Sequence, residues 1–397
     1  MLRKCIVLHR KRVTWILTII SSSAMIFSFF FITDPKAQIQ SIVLTKQRSL
    51  LERNNERLVL LNRKYGTLLN LTEFITNSSA EKAMIYSCKS FCGGWGDRLR
   101  GITSVYILAL LTHRRFMIDM NYPCPIAQAL EPNLVNWTYI QHTSPKNRTR
   151  LSINTVPSWP ATARTIMANT VKSEDFVKQW SAYDEVWIST NSDYMTPALH
   201  NPYLSSRTRT LLGRFPLTQV KMQTLFALLF EFLFKPTLPV QIRVNSILAA
   251  AYHRHLICLH IRIGKNPTNP LDYAFTTRGN TTQYMLNFLD MYLLNYSSPF
   301  FFVTSDSGQA ISDVLHHFPN SSMTITGPIL HIDRFDRKSS TICDGFIKAI
   351  ADFYVLGECQ TSLLSRSGFS SWANHRRLKP NENLYYYFDK IRTVQKG

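Results

Sequence analysis

With 397 residues, the chain is longer than one ordinary hydrophobic core supports, which points to two globular domains. Apolar residues make up 45% of it and aromatic residues 12%, which excludes a disordered or fibrous chain. The formal net charge of +20 suits an anionic ligand, a nucleotide or a polyanion, and does not choose among them.

Residues 13–32 are 20 positions without a charge, long enough to cross a bilayer. Arg3, Lys4, Arg10, Lys11 and Arg12 precede them, and the positive-inside rule keeps that tail in the cytosol. The run is too long for a cleaved leader and lacks a small-residue cleavage site. The expectation is a cytosolic tail (1–12), a transmembrane signal anchor (13–32), a stem (33–82) and a luminal body. Seven N-x-S/T sequons, at Asn70, Asn77, Asn136, Asn147, Asn280, Asn295 and Asn320, all follow the span. They fit a single-pass type II protein of the Golgi membrane, or of the ER as the alternative. Cys5 lies in the tail. Cys88, Cys92, Cys124, Cys258, Cys343 and Cys359 fall in an oxidising compartment, with their pairing left open. Cys258, inside an apolar run, also reads as a free buried thiol. Cys88 and Cys92 have no second pair or His cluster nearby, so zinc has little support.

In the stem, Leu51, Leu58, Leu61, Tyr65 and Leu68 recur at helical spacing, with Asn54 at one inner position and Arg53, Glu56 and Arg57 outside. Two readings stand: short heptads pairing two copies into a homodimer, or a helix lying on the body. Residues 83–87 read as a strand, the glycine-rich Gly93 to Gly101 as a loop entering a helix, and 115–120 as the next strand. Together they make a βαβ unit. Gly94 and Gly96 let the backbone approach a ligand, and the helix N-terminus favours an anion. The dinucleotide fingerprint fails, because Leu99 stands where its third glycine belongs. Asp97 reads either as a helix N-terminal residue favoured by the dipole or as a general base facing a cleft.

From 121 to 201 the chain reads as loops and short elements, with one strand at 186–190. Residues 217–234 and 240–252 read as helices around a domain boundary. Residues 256–263 then form a buried strand, ending in His260 and Arg262 on one face before Gly264. A helix at 284–294, a strand at 299–306 ending in Asp306, and a helix at 310–318 follow. After a short strand at 322–326 come a helix at 342–357 and a strand leading into Ser365, Ser367, Phe369 and Ser370. In a parallel sheet these polar groups converge on one edge, where open α/β folds bind ligands.

The glycine loop, the His260-Ile261-Arg262-Ile263-Gly264 strand end, Val303-Thr304-Ser305-Asp306, and Asp352 followed by Ser365 to Ala373 resemble the GDP-fucose-dependent fucosyltransferase superfamily. The likeness runs from about Met84 to Ala373. The resemblance implies a GT-B fold, two Rossmann-like α/β domains facing a cleft: an acceptor-side domain at 83–245 and a GDP-sugar-binding domain at 246–397. It implies inverting, metal-independent transfer of fucose from GDP-fucose to a glycan or glycoprotein, with no cofactor and no nucleic acid. Arg262 would neutralise the departing diphosphate and Asp97 would be the base. His260, Arg262, Gly264, Asp306, Ser365, Ser367, Phe369, Ser370, Gly94 and Gly96 would hold the donor, with Asp306 taking guanine N–H groups. The chain departs from the H-x-R-R-x-D form of the α1,2/α1,6 branch, with Ile263 and Lys265 at two positions, and H-x-R-I-G is more like the protein O-fucosyl branch. A Golgi sulfotransferase lacks support, since no P-loop pattern is present. An inactive, fold-retaining scaffold is compatible with the sequence.

Overall fold

A computed structural model describes residues 48–75, 81–139, 148–156, 162–264, 279–292, 296–335 and 339–387, with the backbone of 391–393. The expected tail and membrane span, 1–32, lie outside these residues. No helix among the described residues is long and apolar enough to cross a membrane.

Helix α1 (Leu50–Tyr65) starts at a capping box, in which Ser49 and Glu52 satisfy each other's backbone N–H groups. Its buried face is Leu50, Asn54, Arg57, Leu61 and Tyr65, one residue every three or four. That face lies on the body of the same chain. Leu50 N–H donates to Asn245 Oδ1 at 2.8 Å, and Tyr65 Oη donates to the Thr224 carbonyl at 2.8 Å. Of the two stem readings, the packed helix is the one observed.

The first half follows as β1 (Ala83–Cys88), α2 (Trp95–Leu111), β2 (Arg115–Met120), β3 (Arg150–Asn154), α3 (Thr162–Ser173) and β4 (Glu185–Ser189). The sheet order is β2-β1-β4-β3 and every pairing is parallel, with Ala83 opposite both Arg115 and Glu185. All six residues of β1 are buried, as a central parallel strand covered on both faces requires. The stretch expected as loops therefore holds a strand and a 12-residue helix. β3 is an edge strand with no fully buried residue, and α3 is rich in threonine. Tertiary contact outweighs weak local propensity in both.

The second half follows α4 (Met222–Leu233) and α5 (Leu238–Ala250). It comprises β5 (His255–Ile261), α6 (Thr281–Tyr292), β6 (Pro299–Ser305), α7 (Gly308–His317), β7 (Ser322–Met323), α8 (Ile342–Leu356), β8 (Thr361–Ser365), α9 (Gly368–His375), β9 (Leu384–Tyr387) and β10 (Ile391–Thr393). The order is β10-β9-β8-β5-β6-β7, parallel except for the β9–β10 pair. The strand order reverses at β5, as it does at β1 in the first sheet. Such switch points open crevices at the carboxyl ends of strands.

The halves are packed together, not merely linked. Trp95 meets Phe346 and Phe353 edge-on, each at 6.3 Å between ring centroids, and Phe226 lies 4.6 Å from Trp372. A buried charge cluster ties α1 to both halves. Glu231 of α4 accepts from Arg57 at 3.2 Å and from Arg376 at 2.9 Å, and Arg57 also reaches Glu358 at 2.5 Å. Burial opposes the charge on Arg57, but Glu358 and Glu231 outweigh it and raise its pKa above the ordinary value.

Three disulfides form: Cys88–Cys92, Cys124–Cys343 and Cys258–Cys359. The second crosses from the first half to the start of α8. The free-thiol reading of Cys258 is thereby replaced, since its position in β5 brings it beside the turn before β8. Asn136, Asn280 and Asn320 are exposed and Asn70 is half-buried, while the other sequons lie outside the described residues.

Candidate active site

The two switch points face a shared cleft of about 410 Å³. Its walls come from the loop after β1, the ends of β5 and β6, a 328–334 loop, one face of α8, and the entry to α9.

Arg262 follows directly on β5. Its backbone N–H donates to Ser365 Oγ at 2.6 Å, and its guanidinium pairs with Asp306. Asp306 also accepts the N–H groups of Ile263 (2.9 Å) and Gly264 (2.7 Å). Gly264 has φ +98°, a conformation that favours glycine. Asp306, expected to take the guanine N–H groups, lines the cleft. Its carboxylate also holds the strand-end loop and pairs with Arg262. Ser365, whose hydroxyl accepts that Arg262 N–H, is 1% exposed. Neither Ser365, Gly264 nor Ser370 lines the cleft. Ser370 is fully buried, its hydroxyl donating to the Ser367 carbonyl at 3.4 Å. Ser367 does line the cleft and caps α9, accepting from Phe369 N–H. His260 and Phe369 line it too, their rings 5.6 Å apart.

On the facing wall, Gly93 has φ +87°, and a Cβ there would fall 2.8 Å from that of Asp97. Gly94 is open on the cleft side. Gly96 serves packing: a Cβ on it would meet the Gly368 carbonyl carbon at 2.6 Å and Trp372 at 2.9 Å. Glycine is needed there so that α2 and α9 can touch, and Gly96 lines the cleft as well. Asp97 lies in the first turn of α2, lines the cleft, is 38% exposed in its side chain, and pairs with Arg100. The position favoured by the helix dipole is also one that faces the cleft.

Several residues that shape the site do not stand out in the sequence. Asp333 accepts from Cys92 N–H (2.9 Å), Gly93 N–H (3.0 Å) and Arg98 (3.4 Å). Arg98 is fully buried and donates to the carbonyls of Gly93, Tyr122 and Ile332. Burial lowers its pKa. The 328–334 loop is thus strapped to the glycine loop across the cleft. On α8, Asp352 accepts from Thr304 Oγ1 (2.8 Å) and Lys348 Nζ (2.7 Å), and burial raises its pKa. One signal is legible: Lys348 and Asp352 stand four apart on the apolar face of a helix, where ionisable side chains need partners. Asp333 and Arg98 carry no signal, since their contact joins residues 235 apart. Among the described residues, no group of three His, Cys, Asp or Glu side chains could hold a metal ion.

No protein-family model and no curated protein matches the chain. Among solved structures, a mutant of FUT1 from Arabidopsis thaliana in complex with GDP superposes with a TM-score of 0.53 at 14% identity, over 86% of this chain and 80% of that one. NodZ, a fucosyltransferase from Bradyrhizobium, superposes at 0.47 with 13% identity, over 80% of this chain and all of its own. The first of these bears on architecture: two parallel α/β sheets facing one cleft are the fold this chain shares with FUT1.

Proposed function

We propose that the protein transfers fucose from GDP-fucose to a hydroxyl of a glycan or glycoprotein, with inversion and without a metal. The observation that carries this reading is Arg262, fixed by Asp306 and Ser365 at the switch point of the second sheet and facing the glycine loop across the cleft. The fold shared with a GDP-bound protein and the motifs of the fucosyltransferase superfamily support it.

In this scheme the diphosphate lies against Arg262, whose planar fork suits phosphate oxygens. The acceptor oxygen attacks the anomeric carbon, and its proton passes to the Asp97 carboxylate. The bond from that carbon to the β-phosphate oxygen breaks, and the developing negative charge meets the guanidinium. Tight fixing of Arg262 before the donor arrives avoids reorganisation during the reaction.

The test is a donor screen. Purified protein is offered GDP-fucose, GDP-mannose and UDP-galactose, and nucleoside diphosphate release is read with and without EDTA. Release from GDP-fucose alone, unchanged by EDTA, is expected. Activity that EDTA abolishes and manganese restores refutes the metal-free scheme, and no release from any donor favours the inactive scaffold. For location, we propose a luminal body anchored through 13–32, on the sequon distribution and the basic tail. Glycosidase treatment of protein expressed in a secretory cell should lower its apparent mass, and unglycosylated protein would refute this placement.

A further inference from the structure

The loop between β1 and α2 holds a feature that donor binding does not use. Phe91 is 51% exposed, yet it lines the cleft. A single exposed apolar side chain is ordinary by itself; Phe91 differs in lining the cleft. This one is also held in place. The Cys88–Cys92 disulfide closes a short loop around it. At the base of the loop, the Asp333 carboxylate takes the N–H groups of Cys92 and Gly93. The ring is therefore presented on a short, doubly anchored loop, so little conformational freedom is lost when something docks on it.

Its neighbours in the cleft wall define the chemistry. Asn191 Oδ1 accepts from the Arg164 guanidinium at 3.2 Å, which turns the amide N–H groups to other acceptors. Asp97 supplies a carboxylate acceptor on the same wall. A flat apolar ring that shares a cleft with one amide donor and one carboxylate acceptor suits a pyranose, which has C–H groups on one face and hydroxyls around its edge. All three residues belong to the first half, facing the Arg262 side across the cleft.

We propose that Phe91 is the stacking platform for a pyranose ring of the acceptor, with Asn191 binding one of its hydroxyls. This rests on the donor reading above and deepens it: it makes the acceptor a glycan, bound through a sugar face, and not an unglycosylated polypeptide side chain.

The test uses GDP-saturated full-length protein with methyl β-D-galactopyranoside and methyl β-D-N-acetylglucosaminide as probes. Saturation-transfer NMR reads sugar contact, and GDP affinity is measured in the same samples. Wild type and Phe91→Trp should transfer saturation to the C–H protons of one ring face of a probe. Phe91→Ala should weaken probe affinity about tenfold, the factor expected from uncovering one such face, while GDP affinity stays constant. Equal transfer in wild type and Phe91→Ala, or no transfer to either probe while GDP binds, overturns the platform alone. Failure of the wild type to bind GDP removes the donor reading, and the platform falls with it.

Discussion

Replacing Asp306 by asparagine keeps the size of the side chain and removes one acceptor oxygen. In the structure, both oxygens are in use. Oδ1 takes Ile263 N–H at 2.9 Å, and Oδ2 takes Gly264 N–H at 2.7 Å together with the Arg262 guanidinium. Whichever way the amide turns, its NH2 faces a backbone N–H. A hydrogen bond to a charged acceptor is worth about 1.5–3 kcal/mol. The Asp306 side chain is 15% exposed, so the low end of that range applies. Losing the Gly264 contact and the ion pair together costs the folded loop about 3 kcal/mol, and a misaimed Arg262 then loses its contact with the diphosphate, worth roughly a hundredfold in affinity. The cost falls on the strand-end loop, so the melting temperature should move by only a few degrees. Calorimetric titration with GDP and with GMP separates the possible roles. If Asp306 aims Arg262 at the diphosphate, GDP affinity falls about a hundredfold and GMP affinity much less. Equal losses for both ligands would refute the positioning role and return Asp306 to the guanine.

Arg262→Lys should lower turnover about a hundredfold with an unchanged melting temperature, because lysine keeps the charge and loses the two-donor fork; full activity would remove Arg262 from the site. Glu231→Ala leaves Arg57 and Arg376 buried without their shared partner and should cost about 3–5 kcal/mol in denaturant unfolding; an unchanged midpoint would show that the cluster contributes nothing. Burial lowers the pKa of His375 from 6.5 to about 4. As pH falls, the unfolded chain takes up this proton before the folded one does. The contribution of His375 is therefore complete above about pH 6.5 and is lost towards pH 4, by at most about 3 kcal/mol. Melting curves across that window should be flatter for His375→Gln, and identical pH slopes would exclude His375 as the cause.

The sequence by itself determined the central strands and their polar ends, though not the edge strands β3, β9 and β10. Apolar runs such as 256–261, and the glycine loop before a helical repeat, are local patterns with a local cause: strands buried on both faces need continuous apolar residues, and turns need glycine. The same patterns placed His260, Arg262, Asp306 and Ser367 near one sheet edge. What each of these residues touches is set by contacts between distant parts of the chain. Asp306 reads as a ligand group, and only the fold shows that it also holds the N–H groups of Ile263 and Gly264. Gly96 reads as a glycine at a ligand, and only the fold sets Gly368 against it. Cys258 reads as either a disulfide or a free thiol, and Cys359 within bonding distance decides it; α1 reads as either a dimer helix or a helix on the body, and Glu231 against Arg57 shows it packed on the body. Periodicity reports which face of an element is apolar, but the partner that covers that face depends on chain crossings that no local pattern encodes. The strap from Asp333 and Arg98 to the glycine loop, which shapes the cleft, arises from such a crossing.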